Sequence, residues 1–211
     1  MNILQKMSQN EQHIGIMGGT FDPIHYGHTE MVLHCLHYFG LDKVLFIPAG
    51  QPPHKKDIAV SDREKRYDMV KLATADMENC EVSRIEMDRD GYTYTVDTLT
   101  ELKEQYANAF FFYIIGADTL SELYSWRNIE EVAKMTKFLV VGRDKIPSET
   151  LHSAAARVRE DFGGQLIDAC YVGLNISSTD IRRNVQEGRS ISGLVHPDVE
   201  EYIIKNGLYR P

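Results

Sequence analysis

The sequence predicts an α/β protein with a Rossmann-like, doubly wound parallel sheet, in a single domain with a small helical part at its C-terminal end. Three observations carry the prediction. From His13 onward, short apolar runs of strand length alternate with longer stretches of helical periodicity, the βαβ pattern that builds a parallel sheet with right-handed crossovers. One run, Phe110-Phe111-Phe112-Tyr113-Ile114-Ile115, is apolar or aromatic throughout and ends in Gly116, as a central strand covered on both faces should be. The length, 211 residues, suits one full-sized domain better than two. Residues 1–12 are polar with scattered apolar side chains and read as a loose leader without the apolar centre of a signal peptide, so the domain spans 13–211.

The first strand is His13-Ile14-Gly15-Ile16-Met17, and it stops at Gly18-Gly19, where glycine permits positive φ and close approach by a ligand. Pro23 blocks further pairing. Met31, Val32, Cys35, Leu36 and Phe39 then mark one face of a helix from Tyr26 to Phe39. His25 and His28 fall at its first turn, three residues apart and on the same side. Unpaired amides and the positive end of the helix dipole favour phosphate there. A histidine pair of this kind also suits capping or packing, or a Zn²⁺ shared with His54, but neither role accounts for the glycine pair.

Lys43 to Pro48 is a second buried strand, and the loop Ala49 to Ala59 carries Pro52-Pro53-His54-Lys55-Lys56. By composition this is a stiff, solvated loop. By position it follows a strand, and such loops gather at the carboxyl ends of the sheet, so Lys55 and Lys56 should face the crevice that His25 and His28 face. Ser61-Asp62-Arg63-Glu64 has the form of a capping box opening a helix through Tyr67, Met69, Val70 and Leu72, whose charged residues read as a solvated face. Cys80 to Ser83 and Ile85 to Met87 alternate like a strand, and Asp90-Gly91 marks a turn. Tyr92 to Leu99 leads into a helix ending near Tyr106, with its hydroxyls as N-caps.

After the central strand, Gly116-Ala117-Asp118 is a tight turn that sets a carboxylate at a helix start, where it can cap the helix or meet a ligand. Trp126, the only tryptophan, sits between Ser125 and Arg127 in a polar segment, a poor place to bury an indole wholly; core packing and stacking on a ligand both remain open. Asn128 to Val132 begins a helix, Lys137 to Arg143 is a strand, Ser148 to Phe162 a helix with a wet face, and Gln165-Leu166-Ile167 with Tyr171-Val172 a short strand. Asn175-Ile176-Ser177-Ser178-Thr179-Asp180-Ile181-Arg182 sets three hydroxyls at a helix start with a guanidinium one turn on. That constellation suits a polyphosphate, and in isolation equally a polar cap with an exposed arginine. His196 to Ile204, followed by Asn206-Gly207, is a capped terminal helix with a glycine stop.

A formal net charge of −8 argues against a protein that grips long nucleic acid, while a small anionic nucleotide needs only a local cluster of donors. No stretch approaches the roughly 20 apolar residues of a membrane helix. Cys35, Cys80 and Cys170 are widely spaced and form neither a disulfide framework nor a zinc knuckle, which suits a reduced, cytoplasmic protein. No Ser-His or Cys-His nucleophile arrangement is evident, and the oligomeric state is left open, a homo-oligomer included.

Taken whole, Gly18-Gly19-Thr20-Phe21-Asp22-Pro23-Ile24-His25-Tyr26-Gly27-His28 and Ile176-Ser177-Ser178-Thr179-Asp180-Ile181-Arg182 resemble the two signatures of the nucleotidyltransferase superfamily. The Pro52-Pro53-His54-Lys55 loop, Tyr94-Thr95-Val96-Asp97-Thr98, Gly116-Ala117-Asp118 with Trp126 eight residues later, and the C-terminal ending resemble bacterial nicotinate-mononucleotide adenylyltransferases, so that the resemblance runs from His13 to Tyr209. It implies transfer of the adenylyl group of ATP to nicotinate mononucleotide, giving deamido-NAD and pyrophosphate in NAD biosynthesis, by direct in-line attack with Mg²⁺ carried by the ATP phosphates and no metal held by the protein. It further implies His25, His28 and Arg182 as catalytic residues. ATP would be held by Gly18, Gly19, Thr20, Phe21, His25, His28, Gly116, Asp118, Ile176, Ser177, Ser178, Thr179 and Arg182, and the mononucleotide by Lys55, Thr95, Ala117 and Trp126. The alternatives are another adenylyltransferase, such as one acting on phosphopantetheine, which shares both signatures but lacks the Trp126 region, and a non-catalytic nucleotide sensor on the same fold. The segment around Glu122 and Tyr124 departs from the family pattern.

Overall fold

Period-two alternation along the strands feeds two separate cores. Met17, Val44, Phe46, Phe112, Ile114, Leu139 and Val141 point to one face of the sheet, and Ile14, Ile16, Leu45, Ile47, Phe111, Tyr113, Ile115, Phe138 and Val140 to the other. Both faces must therefore be covered by helices, which is the condition under which an all-parallel sheet is stable. The computed structural model describes residues 11–52, 60–142 and 148–210. Its chain order is β1 (Gln12–Gly19), α1 (Tyr26–Phe39), β2 (Lys43–Pro48), α2 (Arg63–Thr74), β3 (Cys80–Val82), α3 (Thr95–Gln105), β4 (Ala109–Gly116), two 3₁₀ turns (Ala117–Ser121 and Leu123–Ser125), α4 (Ile129–Met135), β5 (Thr136–Gly142), α5 (Ser148–Phe162), β6 (Gln165–Val172), α6 (Ser178–Gln186) and α7 (Pro197–Lys205).

The strands lie in the order β3-β2-β1-β4-β5-β6 and every pair is parallel. Residues of α1, α2, α6 and α7 fill the first core, and residues of α3, α4 and α5 the second. The winding direction reverses between β1 and β4, where Ile14 pairs with Phe111 and Ile16 with Tyr113. Loops leaving these two strands diverge to opposite faces and open a crevice at their carboxyl ends. The run expected at the centre of the sheet is β4, with Phe111 to Gly116 all buried. Cys35 is buried and Cys80 half-buried. Burial pushes their thiols up to about 12 and about 11, so neither is a thiolate at neutral pH.

Four local expectations are corrected. The cap of α2 is Asp62, whose carboxylate accepts from the amides of Glu64 and Lys65 at 2.9 and 3.2 Å, while Glu64 turns outward to Arg84 instead of closing a capping box. Ile85 to Met87 is a turn, because β3 ends at Val82 and the Ser83 hydroxyl accepts the Ile85 amide. The hydroxyls at the start of α3 do not cap it; Thr98 instead donates to the buried Glu86 carboxylate at 2.7 Å. And β6 is one continuous strand of eight residues with an irregularity against β5 between Val140 and Gly142.

The α2 face read as solvated contains the largest fully buried side chain, Arg66, 1% exposed. Its Nε donates to the Ser61 carbonyl at 3.0 Å, Nη1 to Thr20 at 2.7 Å and Nη2 to Gly50 at 3.1 Å. The guanidinium thus ties the loops after β1 and β2 to the base of α2. Burial pulls its pKa down, and the charges of Asp22 and Asp62 oppose this. Arg66→Met keeps most of the volume but strands three carbonyls and removes the charge facing Asp22. It is expected to cost about 3–5 kcal/mol of stability, the cost of breaking a buried charged network, read as a lower urea midpoint at unchanged slope.

Candidate active site

Two adjoining clefts occupy the crevice at the ends of β1 and β4. The smaller, about 260 Å³, is lined by His25, His28, Gly116, Asp118, Ser177 and Ser178 among others. The larger, about 680 Å³, is lined by Gly19, Thr20, Pro52, Glu86, Thr93, Thr95 and Arg127 among others. Gly18, Tyr113, Thr119 and Trp126 line both, so the two form one bipartite site.

The wall between them explains the first glycine. A Cβ on Gly18 would lie 2.1 Å from the Tyr113 hydroxyl, so only glycine lets the β1 backbone pass the phenol. The expected positive φ is not at the glycines, which stay in β1 paired with Ile47 and Pro48, but at Phe21, with φ 50°. Burial pushes the Tyr113 phenol well up, with the Glu86 charge adding to the shift, so it stands in the site as a neutral hydroxyl. Phe21 is buried and meets His28 edge-on at 5.1 Å, supporting the imidazole from the core and lining neither cleft.

His25 is the N-cap residue of α1, and its backbone N–H donates to His28 Nδ1 at 3.3 Å. With Nδ1 accepting, the neutral His28 ring carries its proton on Nε2. The two rings stack with centroids 3.7 Å apart, and a side chain at Gly27 would press on the His25 ring at 3.0 Å. The helix start therefore presents two imidazoles and the positive end of its dipole at the smaller cleft.

The second motif is clasped onto the first. Ser177 caps α6, its hydroxyl accepting from the Asp180 amide at 3.1 Å. Ser178 Oγ donates to the Pro23 carbonyl at 2.8 Å, and Arg182 Nη1 to the neighbouring Asp22 carbonyl at 2.7 Å, with Nη2 3.3 Å from Thr179 Oγ1. The buried Asp22 carboxylate in turn accepts from the Tyr209 hydroxyl at 2.7 Å and the Ser61 amide at 3.2 Å. Burial and the Asp22 charge raise the Tyr209 phenol, so it remains a donor.

Of the residues singled out from sequence, Gly18, Gly19, Thr20, His25, His28, Gly116, Asp118, Ser177, Ser178, Thr95 and Trp126 line the clefts. Arg182, Thr179 and Ile176 line neither. Ala117, 5% exposed, is packed into the second core. Lys55, with His54 and Lys56, lies outside the described residues, as do Arg143 and 1–10 of the leader. Asp118 is in the first 3₁₀ turn, with Gly116 at the cap position, so capping is not its role. Trp126 meets Tyr113 and Phe138 edge-on at 5.4 and 6.2 Å and is half-buried. The unusual lip before it is held to α5 by the Tyr124 hydroxyl on Asp161, at 2.8 Å, and by Arg157 over the Tyr124 ring. Sequence reasoning missed Asp22, Arg66, Glu86, Tyr113, Arg127 and Tyr209. Only Glu86, an acid between Ile85 and Met87, carried a local signal. Among the described residues, no group of three His, Cys, Asp or Glu side chains is placed to hold a metal ion, and no helix is long and apolar enough to cross a membrane.

The family model for cytidylyltransferase-like proteins matches residues 16–184. A probable nicotinate-nucleotide adenylyltransferase of Thermoanaerobacter sp. (strain X514) is 42% identical over 203 residues, 96% of each chain, and one of Desulfitobacterium hafniense (strain Y51) is 43% identical over 94% of this chain and 96% of its own. The chain belongs to the nicotinate-nucleotide adenylyltransferase family. Plasmodium falciparum nicotinic acid mononucleotide adenylyltransferase, solved in complex with NaAD, matches with a TM-score of 0.76 over 94% of this chain and 97% of that one; at 22% identity the likeness establishes the shared fold.

In this enzyme Glu86 is 8% exposed, and burial raises its carboxyl pKa against the opposing Thr98 and Thr93 hydroxyls. A carboxyl that holds its proton more tightly folded than unfolded contributes stability that is complete below its unfolded pKa, about 4.3, and is lost as pH rises through the folded value. Glu86→Gln is expected to remove that loss. Its thermal midpoint should gain on wild type as pH rises from about 4 through the raised pKa, then run parallel to it, with any fixed offset from packing present at every pH.

Proposed function

We propose that the enzyme transfers the adenylyl group of ATP to nicotinate mononucleotide, giving deamido-NAD and pyrophosphate, a step of NAD biosynthesis. The observation that carries this reading is the bipartite cleft, with a histidine pair at a helix start on one side, Thr95 on the other, and Gly18, Tyr113 and Trp126 shared between them. The relatives named nicotinate-nucleotide adenylyltransferase support it.

A phosphate oxygen of the mononucleotide attacks the α-phosphorus of ATP in line. One P–O bond forms, the bond to the bridging β-phosphate oxygen breaks, and pyrophosphate departs with no covalent enzyme intermediate. Mg²⁺ arrives as part of the ATP complex, held by the phosphates. The protein contributes position and charge stabilisation. His28 donates from Nε2–H to the α-phosphate as charge builds, alongside His25 and the amides opening α1. Ser177, Ser178 and Thr179 with Arg182 hold the β- and γ-phosphates at the start of α6, and Arg182 is aimed by its bond to the Asp22 carbonyl. Gly18, Gly116 and Asp118 border the adenosine side, and Trp126 stacks on the pyridine ring with Thr95 beside it. Lys55 completes the phosphate contacts. The enzyme acts in the cytoplasm on small nucleotides and not on nucleic acid, consistent with donors concentrated locally in an acidic chain.

The test is pyrophosphate release with ATP and Mg²⁺, comparing nicotinate mononucleotide, nicotinamide mononucleotide and phosphopantetheine at equal concentration. The nicotinate form should be preferred, and His28→Ala should lower kcat by about 10²–10³, the usual cost of one preorganised donor. Near-normal turnover by that variant overturns the role of His28, and absence of release with all three acceptors moves the sensor reading to the front.

A further inference from the structure

The buried Asp22 carboxylate has two arginines beside it and is bonded to neither. Its charge is felt by Arg66, and the charge of Arg182 by the Tyr209 phenol that touches it. Arg66 spends its donors on backbone carbonyls, those of Ser61, Thr20 and Gly50. Arg182 gives Nη1 to the Asp22 carbonyl at 2.7 Å and Nη2 to Thr179 Oγ1 at 3.3 Å. Among the described residues no ion pair joins Arg182 to an acid, whereas Arg183 beside it pairs with Asp180. The difference matters for an anion site. A guanidinium held by a carbonyl is oriented and keeps its full charge, while one held by a carboxylate has that charge cancelled.

What occupies the carboxylate instead is Tyr209. Its hydroxyl donates to Oδ1 at 2.7 Å and the Ser61 amide to Oδ2 at 3.2 Å, so both oxygens are met by neutral donors. A turn after α7 brings the phenol there. Gly207 and Tyr209 take φ of 60° and 62°, and Leu208 between them is buried. Positive φ is uncommon in a residue with a Cβ, and here it accompanies packing of the Tyr209 ring against the first core. Without this hydroxyl, Oδ1 would be a buried acceptor lacking its partner, and the strongest donor at hand is the Arg182 guanidinium, already bonded to the carbonyl of the same residue. Tyr209 itself lines neither cleft.

We infer that Tyr209 is a positioning residue of the phosphate site: by occupying the Asp22 carboxylate it keeps Arg182 on the neighbouring carbonyl, with its positive charge uncancelled and available to the phosphates of the nucleotide. The inference rests on the role given to Arg182 under Proposed function and adds to it a residue that acts only through Asp22 and Arg182.

The experiment measures pyrophosphate release from MgATP and nicotinate mononucleotide in wild type, Tyr209→Phe, Tyr202→Phe, Asp22→Asn and the double variant Asp22→Asn with Tyr209→Phe. Tyr209→Phe keeps the ring, and circular dichroism and the thermal midpoint check the fold of each variant. Tyr202→Phe is the control: it removes another hydroxyl bond of the same region, to Asp68 at 2.9 Å, without touching Asp22. In Tyr209→Phe, kcat/KM for MgATP should fall about tenfold, the worth of one charge-assisted hydrogen bond, while KM for nicotinate mononucleotide stays at the wild-type value and Tyr202→Phe turns over normally. In the Asp22→Asn background the same change should cost less than about twofold, because a neutral amide cannot capture the guanidinium. An active wild type with no loss in Tyr209→Phe, an equal loss in Tyr202→Phe, or an equal loss in both Asp22 backgrounds overturns the inference and leaves the adenylyltransferase reading standing. A wild type that releases no pyrophosphate overturns that parent reading and the inference with it.

Discussion

A buried arginine that satisfies three carbonyls from three segments is the constraint on which the rest of the site depends. Arg66 reaches from α2 to Ser61, Thr20 and Gly50, and so fixes the exits of β1 and β2 relative to each other. A guanidinium is costly to bury unless its donors are met, and backbone carbonyls in irregular loops are costly to bury unless something donates to them. Here each requirement answers the other. The loop of the first motif can therefore leave the sheet without regular pairing and still hold one conformation.

Asp22 extends that constraint to the C-terminal part of the chain. Its carboxylate accepts from Tyr209 and Ser61, and its carbonyl from Arg182, so the first motif, the base of α2, the α6 start and the chain's end converge on one residue. Two helix N-termini, those of α1 and α6, are thereby brought to the same crevice, with the positive ends of their dipoles toward it. Under the proposed reading, this gives a chain of net charge −8 a local site for phosphate. Helix dipoles, imidazoles and hydroxyls line the smaller cleft, and Arg182 adds its charge within α6.

The division of the crevice follows from packing. Tyr113 alternates into the second core by the period of β4, and its phenol passes over Gly18 at the switch point of the sheet. The side chain that belongs to the core by periodicity thus also forms the wall between the smaller cleft and the larger. Trp126 leans edge-on against this same ring, which keeps the indole half-buried in a segment too polar to bury it fully.

The fold class, the central strand, the helix starts at His25 and Ser177, and the glycines and histidines of the first motif are all legible in the chain before it folds. Each rests on local rules: alternation of period two, periodicity of 3.6, capping chemistry, and the steric privilege of glycine. The same rules place the α2 cap one residue early and make a strand of Ile85 to Met87, because a capping box and an alternating tripeptide are decided by which neighbour reaches them first, here Arg84 and Ser83. No local rule shows that Arg66 is buried, that Asp22 joins four segments, that Glu86 and Arg127 share a cleft, or that Arg182 is held on Asp22 from 160 residues away. Periodicity assigns a side chain to a face of its own element. Its partner is settled when the sheet stacks distant segments at one edge, and burial in that crowded space turns ordinary polar residues into a site.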